Sequence, residues 1–128
     1  MQSPEHPDLV WGGPVSFTAG RDRPVQYAVI HSTEGTEGIT SAEAGSAYDR
    51  RRTDGTSTHY FHDQDTTVQE VLTSDRAHHA RFHGNAIGIG HELCGLAGQT
   101  DPQWHDVASL GTLRNAAKQV ARDCVKYG

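Results

Sequence analysis

The chain has 128 residues, of which 34% are hydrophobic and 14 are glycine, so its length and composition predict one domain with a modest core and many loops. Its formal charge of −5 argues against a nucleic-acid surface, which usually requires a basic stripe. No apolar run is long enough to span a bilayer, and the N-terminus lacks the basic and apolar regions of a signal peptide.

The first quarter of the chain predicts an arm followed by a strand. Residues 1–25 hold four of the five prolines and little apolar periodicity, which indicates an extended arm with Val10 and Trp11 as its anchor. The apolar run in residues 26–31 predicts a buried, central first strand. His31 ends this run, just before small hydroxyl residues and a turn, so we expect its ring to face a cleft, where histidine can bind a metal.

The middle of the chain predicts a helix and a hairpin. Residues 39–52 form a weak helical pattern, with Thr40 placed as the N-cap of a capping box. Residues 57–63 and 67–72 alternate as two hairpin strands do. Residues 75–84 predict a histidine-rich loop, because a glycine interrupts any helical pairing of its histidines.

The last third predicts a second central strand over 87–94, a loop over 95–104 and the best helix of the chain over 109–127. Ser109 is the expected N-cap of this helix. The predicted fold class is therefore α/β, a central mixed sheet flanked by helices, with the arm 1–25 preceding a domain 26–128. The apolar stripe that should face the sheet comprises Leu110, Leu113, Ala117, Val120, Cys124 and Tyr127.

Polar groups at strand ends mark the candidate site. Glu92 is the clearest, because burying a carboxylate in an apolar strand costs several kcal/mol, on the order of the desolvation of a polar group, unless it is paired or serves a site. The alternative is that simple alternation turns Glu92 outward. His31, His59 and His79 join it as candidates on separate segments.

Cysteine and histidine usage adds little by itself. Cys94 and Cys124 lack the spacing of a zinc knuckle, and each packs as a small apolar residue or the two form a disulfide. Nine histidines in so short a chain slightly favour metal or proton-transfer chemistry.

Taken in order, several motifs resemble one family, the zinc-dependent N-acetylmuramoyl-L-alanine amidases of the phage-lysozyme and peptidoglycan-recognition-protein type. The resemblance extends from about Asp8 to the C-terminus and is greatest to the amidase domains of actinobacterial phages and their hosts. The matching pieces are Val29-Ile30-His31-Ser32-Thr33-Glu34-Gly35, Ser57-Thr58-His59-Tyr60-Phe61, Ala77-His78-His79-Ala80, Asn85 and Ile89-Gly90-His91-Glu92-Leu93-Cys94-Gly95.

The resemblance implies a site and a reaction. His31 matches the first zinc ligand, and Glu92 matches the acidic residue that acts on zinc-bound water. His59 would line the site and donate a hydrogen bond to the developing oxyanion. The implied reaction is hydrolysis of the amide joining N-acetylmuramic acid to L-alanine. The residues implied to contact the glycan-peptide substrate are Thr33, His79 and Asn85.

The chain departs from the family pattern at the metal site. In the family, two further zinc ligands follow the long helix, and this sequence ends at Gly128. The explanations are a fragment, a natural truncation that binds without hydrolysis, or a site completed by other histidines, and the first is favoured. A domain lacking that segment would expose a sheet edge, which predicts self-association or a retained covering segment.

The expected partner is bacterial peptidoglycan, with zinc as cofactor and neither nucleic acid nor membrane as a partner. The resemblance further implies a phage-encoded endolysin that acts on the host cell wall, or that stays cytoplasmic until released. A second hypothesis is a catalytically silent peptidoglycan-binding module. A third is a histidine-rich α/β domain of unrelated chemistry, which would have no affinity for muropeptides.

Overall fold

The computed structural model describes residues 1–128 and is organised around a five-stranded mixed sheet. The strands are β1 (Val10–Trp11), β2 (Phe17–Thr18), β3 (Tyr27–Ser32), β4 (Tyr60–His62), β5 (Thr67–Gln69), β6 (Arg76–Ala77) and β7 (Gly88–Leu93). The helices are α1 (Ser41–Arg51), α2 (Arg81–Ile87), α3 (Asp101–Trp104) and α4 (Val107–Tyr127).

The main sheet has the strand order β1-β5-β4-β7-β3. β3, β7 and β4 run parallel, β5 returns antiparallel to β4 as the predicted hairpin partner, and β1 lies parallel to β5. β2 and β6 form a separate antiparallel pair. The α/β class with a mixed sheet and flanking helices is thus confirmed, and the predicted arm contributes two short strands, one of them at the edge of the main sheet.

The first strand is not central, which corrects the prediction from its apolar run. β3 pairs only with β7 and forms one edge of the sheet. Tyr27 is 59% exposed and Ile30 is 53% exposed, so the apolar run does not report burial here. β7, by contrast, lies between β3 and β4 and is buried along most of its length, as predicted for the second strand.

The two faces of the sheet carry different cores. One face packs against α1, where Ala42, Phe61, Val68 and Cys94 form a buried cluster. The other packs against α4 and buries Leu9, Tyr60 and Ile89, with Val25 and Tyr127 at its margin. Both clusters are small, in keeping with the modest hydrophobic content of the chain.

Helix α4 buries a polar face rather than the predicted apolar stripe. Within the predicted stripe, Leu113 is 37% exposed, and Ala117 and Cys124 are exposed as well. The helix also begins earlier than predicted, because the side chain of Asp106, not Ser109, accepts the capping hydrogen bond, from the Ser109 N–H at 2.8 Å. The residues that it buries are Ser109, Thr112, Ala116, Gln119 and Asp123.

Other boundaries also differ from the sequence prediction. Thr40 precedes α1 with a φ of 69° and makes no side-chain capping bond, so the expected capping box is absent. The hairpin strands are shorter than 57–63 and 67–72. The histidine-rich segment 75–84 contains β6 and the start of α2.

The segment 95–104, predicted as a loop, ends in the short helix α3. Thr100 forms a capping box with Gln103 there, a local signal that the loop prediction overlooked. Both cysteines are free, with Cys94 buried and Cys124 exposed. None of the four helices has the length and apolar character required to cross a membrane.

Candidate functional site

Strand register brings two of the predicted site residues side by side. His31 of β3 pairs with Glu92 of β7, and Glu92 pairs in turn with Phe61 of β4. Directly paired residues on neighbouring strands project to the same face, so these side chains share the face that α1 covers. β3 lies at the sheet edge, and His31 is therefore only partly buried beside this face.

Glu92 lines a cavity of about 270 Å³ between the sheet and α1. Its Oε2 atom is buried and makes no hydrogen bond. Burial, followed by the charge of Asp49, raises the pKa of Glu92 to about 7. A carboxyl group in this condition can both take up and release a proton near neutral pH. Other residues lining the cavity are Thr33, Asp49, Arg52, Thr58, Phe61 and Cys94.

His79 joins His31 at the edge of this face. The Nε2 atom of His31 lies 3.1 Å from Nδ1 of His79, and the two rings meet edge to face with centroids 5.3 Å apart. Burial lowers the pKa of both imidazoles, and the charge of His31 helps to lower that of His79 to about 4, which the Gly88 carbonyl partly offsets. The His79 ring is therefore neutral at pH 7.

The structure gives His59 a different environment from the one expected. The ring is fully buried. Its Nδ1 atom accepts the Gly90 N–H at 2.9 Å, so the proton of the neutral ring is on Nε2, which faces the carbonyl oxygen of Asp75 at 3.1 Å. The guanidinium of Arg21 also lies 3.1 Å from Nε2. Both nitrogens are thus engaged within the chain, and neither is free to donate to a substrate oxyanion.

The two other predicted substrate contacts are also engaged within the chain. Asn85 uses its side-chain oxygen to accept the N–H groups of His79 and Ala80, at 2.9 and 2.7 Å. The hydroxyl of Thr33 accepts N–H groups of Gly35 and Gly95, each at 3.3 Å, while Thr33 still lines the cavity. Thr33 therefore lines the cavity that contains Glu92, whereas Asn85 does not.

A buried carboxyl group that the sequence does not reveal lies next to Asp49, one of the residues lining the cavity. Glu70 is fully buried and accepts the Thr58 N–H at 3.1 Å and the Ser46 hydroxyl at 2.9 Å. Burial, and then the nearby charge of Asp49, raises the pKa of Glu70 to about 9. Its position in the predicted hairpin strand 67–72 gives no signal, because a glutamate there can equally face solvent.

Substituting Glu70→Gln should stabilise the protein increasingly as the pH rises from 5 to 8. The folded chain keeps Glu70 protonated up to about pH 9, whereas an unfolded glutamate ionises near 4.5. Folding therefore takes up a proton in this window, and wild-type stability falls as the pH rises, by at most about 1.4 kcal/mol per pH unit. Urea denaturation of both proteins at several pH values measures this. If the difference in unfolding free energy between the two proteins did not change with pH, Glu70 would be ionised in the folded protein.

The residues present do not make a complete zinc site. No group of three or more histidine, cysteine, aspartate or glutamate side chains is arranged to hold a metal ion. Structural and catalytic zinc ions in proteins are held by at least three side-chain ligands. The His31 imidazole has suitable donor chemistry, but the chain from 1 to 128 does not surround that position with the required number of donors.

Comparison with known proteins finds one family model that matches most of the chain. A family model described as N-acetylmuramoyl-L-alanine amidase matches residues 21–128. No curated protein sequence matches the chain.

Solved structures share the fold at low sequence identity. PlyL is 18% identical with a TM-score of 0.72, and the match covers 93% of this chain and 74% of that one. The catalytic domain of XlyA is 19% identical with a TM-score of 0.72, covering 93% and 76%. AmiA, a Staphylococcus aureus hydrolase solved with its ligand, is 20% identical with a TM-score of 0.61, covering 100% and 55%.

Proposed function

The chain belongs to the N-acetylmuramoyl-L-alanine amidase family, and we propose that it hydrolyses the amide bond between N-acetylmuramic acid and L-alanine in peptidoglycan. The observation that supports this most directly is Glu92. Its unpartnered Oε2 atom lies in a cavity, on the strand next to His31. A buried carboxyl group without a partner costs stability, and such a cost is typical of functional sites.

In the proposed reaction, Glu92 moves one proton. Its carboxylate takes a proton from water as the water oxygen bonds to the carbonyl carbon of the lactyl group. The same carboxyl group then gives that proton to the nitrogen of L-alanine as the carbon–nitrogen bond breaks. The reaction consumes one water molecule. Its products are the lactyl carboxylic acid and a peptide with a free amino terminus.

We propose zinc as the cofactor of this activity, with His31 as one of its ligands. The support is the imidazole of His31 at the edge of the site and the metal dependence that the resemblance implies. Because the other donors are not assembled in residues 1–128, we expect the purified chain to retain less than one zinc per molecule after dialysis against metal-free buffer. Elemental analysis measures this, and one tightly held zinc per chain would show that other side chains rearrange to complete the site.

An endolysin role, with release onto the wall of a host bacterium, extends the proposal. Its support is the likeness in fold to proteins such as a mutant endolysin from Bacillus subtilis, 18% identical with a TM-score of 0.71. The substrate would then be the assembled cell wall rather than a soluble fragment.

Digestion of purified peptidoglycan tests the activity. We expect new amino termini on L-alanine, detected by labelling of free amines and by mass spectrometry of released stem peptides, without new reducing sugars. Release of reducing sugars would indicate a glycosidase instead. Retention on the insoluble wall without any release would favour a peptidoglycan-binding module.

A further inference from the structure

Buried side-chain polar atoms that lack a partner are concentrated around β7. Five such atoms in the chain make no hydrogen bond, and three of them belong to Thr58, His79 and Glu92. Buried polar atoms in folded proteins nearly always have a partner, so each exception requires an explanation. Glu92 has one in the proposed reaction, whereas the hydroxyl of Thr58 has none.

The hydroxyl of Thr58 lies on the same sheet face as Glu92. Gly90 and Glu92 are two residues apart in β7, so their side-chain positions share one face of the strand. A Cβ atom at Gly90 would lie 2.8 Å from Oγ1 of Thr58 and 2.6 Å from Cγ of His79. Thr58 therefore uses space that the glycine leaves open, and it lines the same cavity as Glu92.

The backbone around Thr58 is held firmly. Its N–H donates to Oε1 of Glu70 at 3.1 Å, and the N–H of His59 donates to the Gly90 carbonyl oxygen at 3.2 Å. Only 1% of Thr58 is exposed. The chain thus fixes this residue but supplies no partner for its hydroxyl, and the cost of burying that group is not offset within the protein.

The chemistry of an amide group matches the two unpartnered atoms in the cavity. The carbonyl oxygen of an amide accepts hydrogen bonds, and a threonine hydroxyl can donate one. The Glu92 carboxyl group can exchange a proton with water and with the amide nitrogen. His59, which the resemblance assigns to the carbonyl oxygen, has both ring nitrogens engaged within the chain. The residue before it has a hydroxyl proton available.

We propose that the Thr58 hydroxyl donates a hydrogen bond to the carbonyl oxygen of the scissile amide. This role rests on the proposed amidase function. As the water oxygen bonds to the carbonyl carbon, the electron pair of the carbonyl bond moves onto the oxygen that Thr58 contacts. It returns when the carbon–nitrogen bond breaks. Thr58 keeps its own proton throughout, while Glu92 moves the proton of the attacking water. A donor that is already fixed in place stabilises such developing charge effectively.

Thr58→Val tests this role, because valine has nearly the same shape as threonine and lacks the hydroxyl. We expect kcat/KM for release of amino termini from peptidoglycan to fall at least about tenfold, since loss of one donor to a developing oxyanion commonly costs more than that. Thr58→Ser keeps the hydroxyl and should retain kcat/KM within about threefold of the wild type. The melting temperature of Thr58→Val should match or exceed that of the wild type, because an unpartnered hydroxyl is removed.

Binding of a small probe separates contact from hydrolysis. The probe is N-acetylmuramoyl-L-alanyl-D-isoglutamine, which contains the amide in question. Titration calorimetry in the Glu92→Gln background prevents its consumption, and Thr58→Val should weaken its binding at least about threefold, as expected for one lost hydrogen bond. Thr112→Val is the matched control. Thr112 is fully buried outside the cavity and donates to the Ala108 carbonyl oxygen at 3.1 Å, so its substitution should leave probe binding and hydrolysis unchanged.

The outcomes distinguish this role from the amidase function itself. Unchanged hydrolysis in a folded Thr58→Val protein would overturn the role of the hydroxyl and leave the amidase function standing. Equal losses in Thr58→Val and Thr58→Ser would also overturn it, because the shape of the side chain would then matter and not its hydroxyl. If the wild type releases no amino termini, probe binding decides. Weaker binding in Thr58→Val would preserve the contact without the hydrolysis, and absence of binding in the Glu92→Gln parent would refute both.

Discussion

Glu92→Gln should lower the rate of amide hydrolysis by about 100-fold or more, within the range that removal of a general acid–base group produces. Glutamine has nearly the same shape as glutamate, but it can neither accept a proton from water nor return one to the leaving amine. The effect should therefore appear in kcat rather than in KM.

The same substitution should not weaken the fold. Burial and the charge of Asp49 raise the pKa of Glu92 to about 7, so the folded chain already tolerates an uncharged group at this position. A neutral amide removes the cost of holding a charge there at higher pH. The melting temperature and the retention on insoluble peptidoglycan should consequently match or exceed those of the wild type.

An exposed carboxylate outside the cavity provides the control. Asp101→Asn removes a charge from the surface helix α3 and should leave hydrolysis unchanged. If Glu92→Gln retained activity within a few-fold of the wild type, Glu92 would not be the proton carrier. The proposed chemistry would then need another group in the cavity.

The fold could be predicted from the sequence where local patterns and tertiary burial agree. β7 and the hairpin of β4 and β5 have alternating or apolar patterns and occupy the middle of the sheet. β3 shows why an apolar run is not enough, because position in the sheet decides burial and β3 lies at an edge. Strand order depends on long-range pairing, which no short window of sequence contains.

In helix α4, the apolar periodicity does not mark the buried face. The three-and-four spacing of its apolar residues predicted the inward face, but the sheet presents polar rings to it. His62 and His91 stack at a centroid distance of 5.3 Å, and their neighbour Tyr60 stacks on both. The helix therefore turns inward the polar residues that can bond to these groups, such as Gln119, which donates to the Tyr60 hydroxyl at 3.0 Å.

The candidate site was predictable in part. His31, Glu92 and His79 could be named from motifs at strand ends, and the fold places all three on or beside one sheet face. The sequence does not reveal which ring nitrogens and side-chain amide groups are already hydrogen-bonded to the backbone. His59 and Asn85 remain predictions from the resemblance. Within the chain, both ring nitrogens of His59 and the side-chain oxygen of Asn85 already have hydrogen-bond partners.

Asp123→Ala should destabilise the protein by about 2–4 kcal/mol, because it breaks a buried chain of hydrogen bonds that joins α4 to the sheet. Nε2 of His91 lies 3.1 Å from the Asp123 carboxylate, and Nε2 of His62 lies 3.0 Å from Nδ1 of His91. The hydroxyl of Thr67 completes the chain, 2.9 Å from Nδ1 of His62.

The direction of this chain explains the size of the effect. The Asp123 carboxylate can only accept, so His91 donates from Nε2. With a neutral His91 ring, Nδ1 accepts from His62, which in turn accepts from the Thr67 hydroxyl. Both rings are fully buried. Without Asp123, the His91 N–H loses its hydrogen-bond partner inside the protein, which incurs the desolvation cost of a buried donor.

Asp123→Asn is the matched variant that separates the hydrogen bond from general disturbance of the helix. Its amide oxygen can still accept from His91, so we expect it to retain stability to within about 1 kcal/mol of the wild type. Urea denaturation at pH 7 measures both variants, with the surface substitution Asp101→Ala as a reference for loss of a carboxylate. Equal losses for Asp123→Ala and Asp123→Asn would mean that the carboxylate charge, and not its acceptor role, holds α4 against the sheet. A loss below about 1 kcal/mol for both would mean that α4 is held mainly by its few apolar contacts, such as Ala116 and Tyr127.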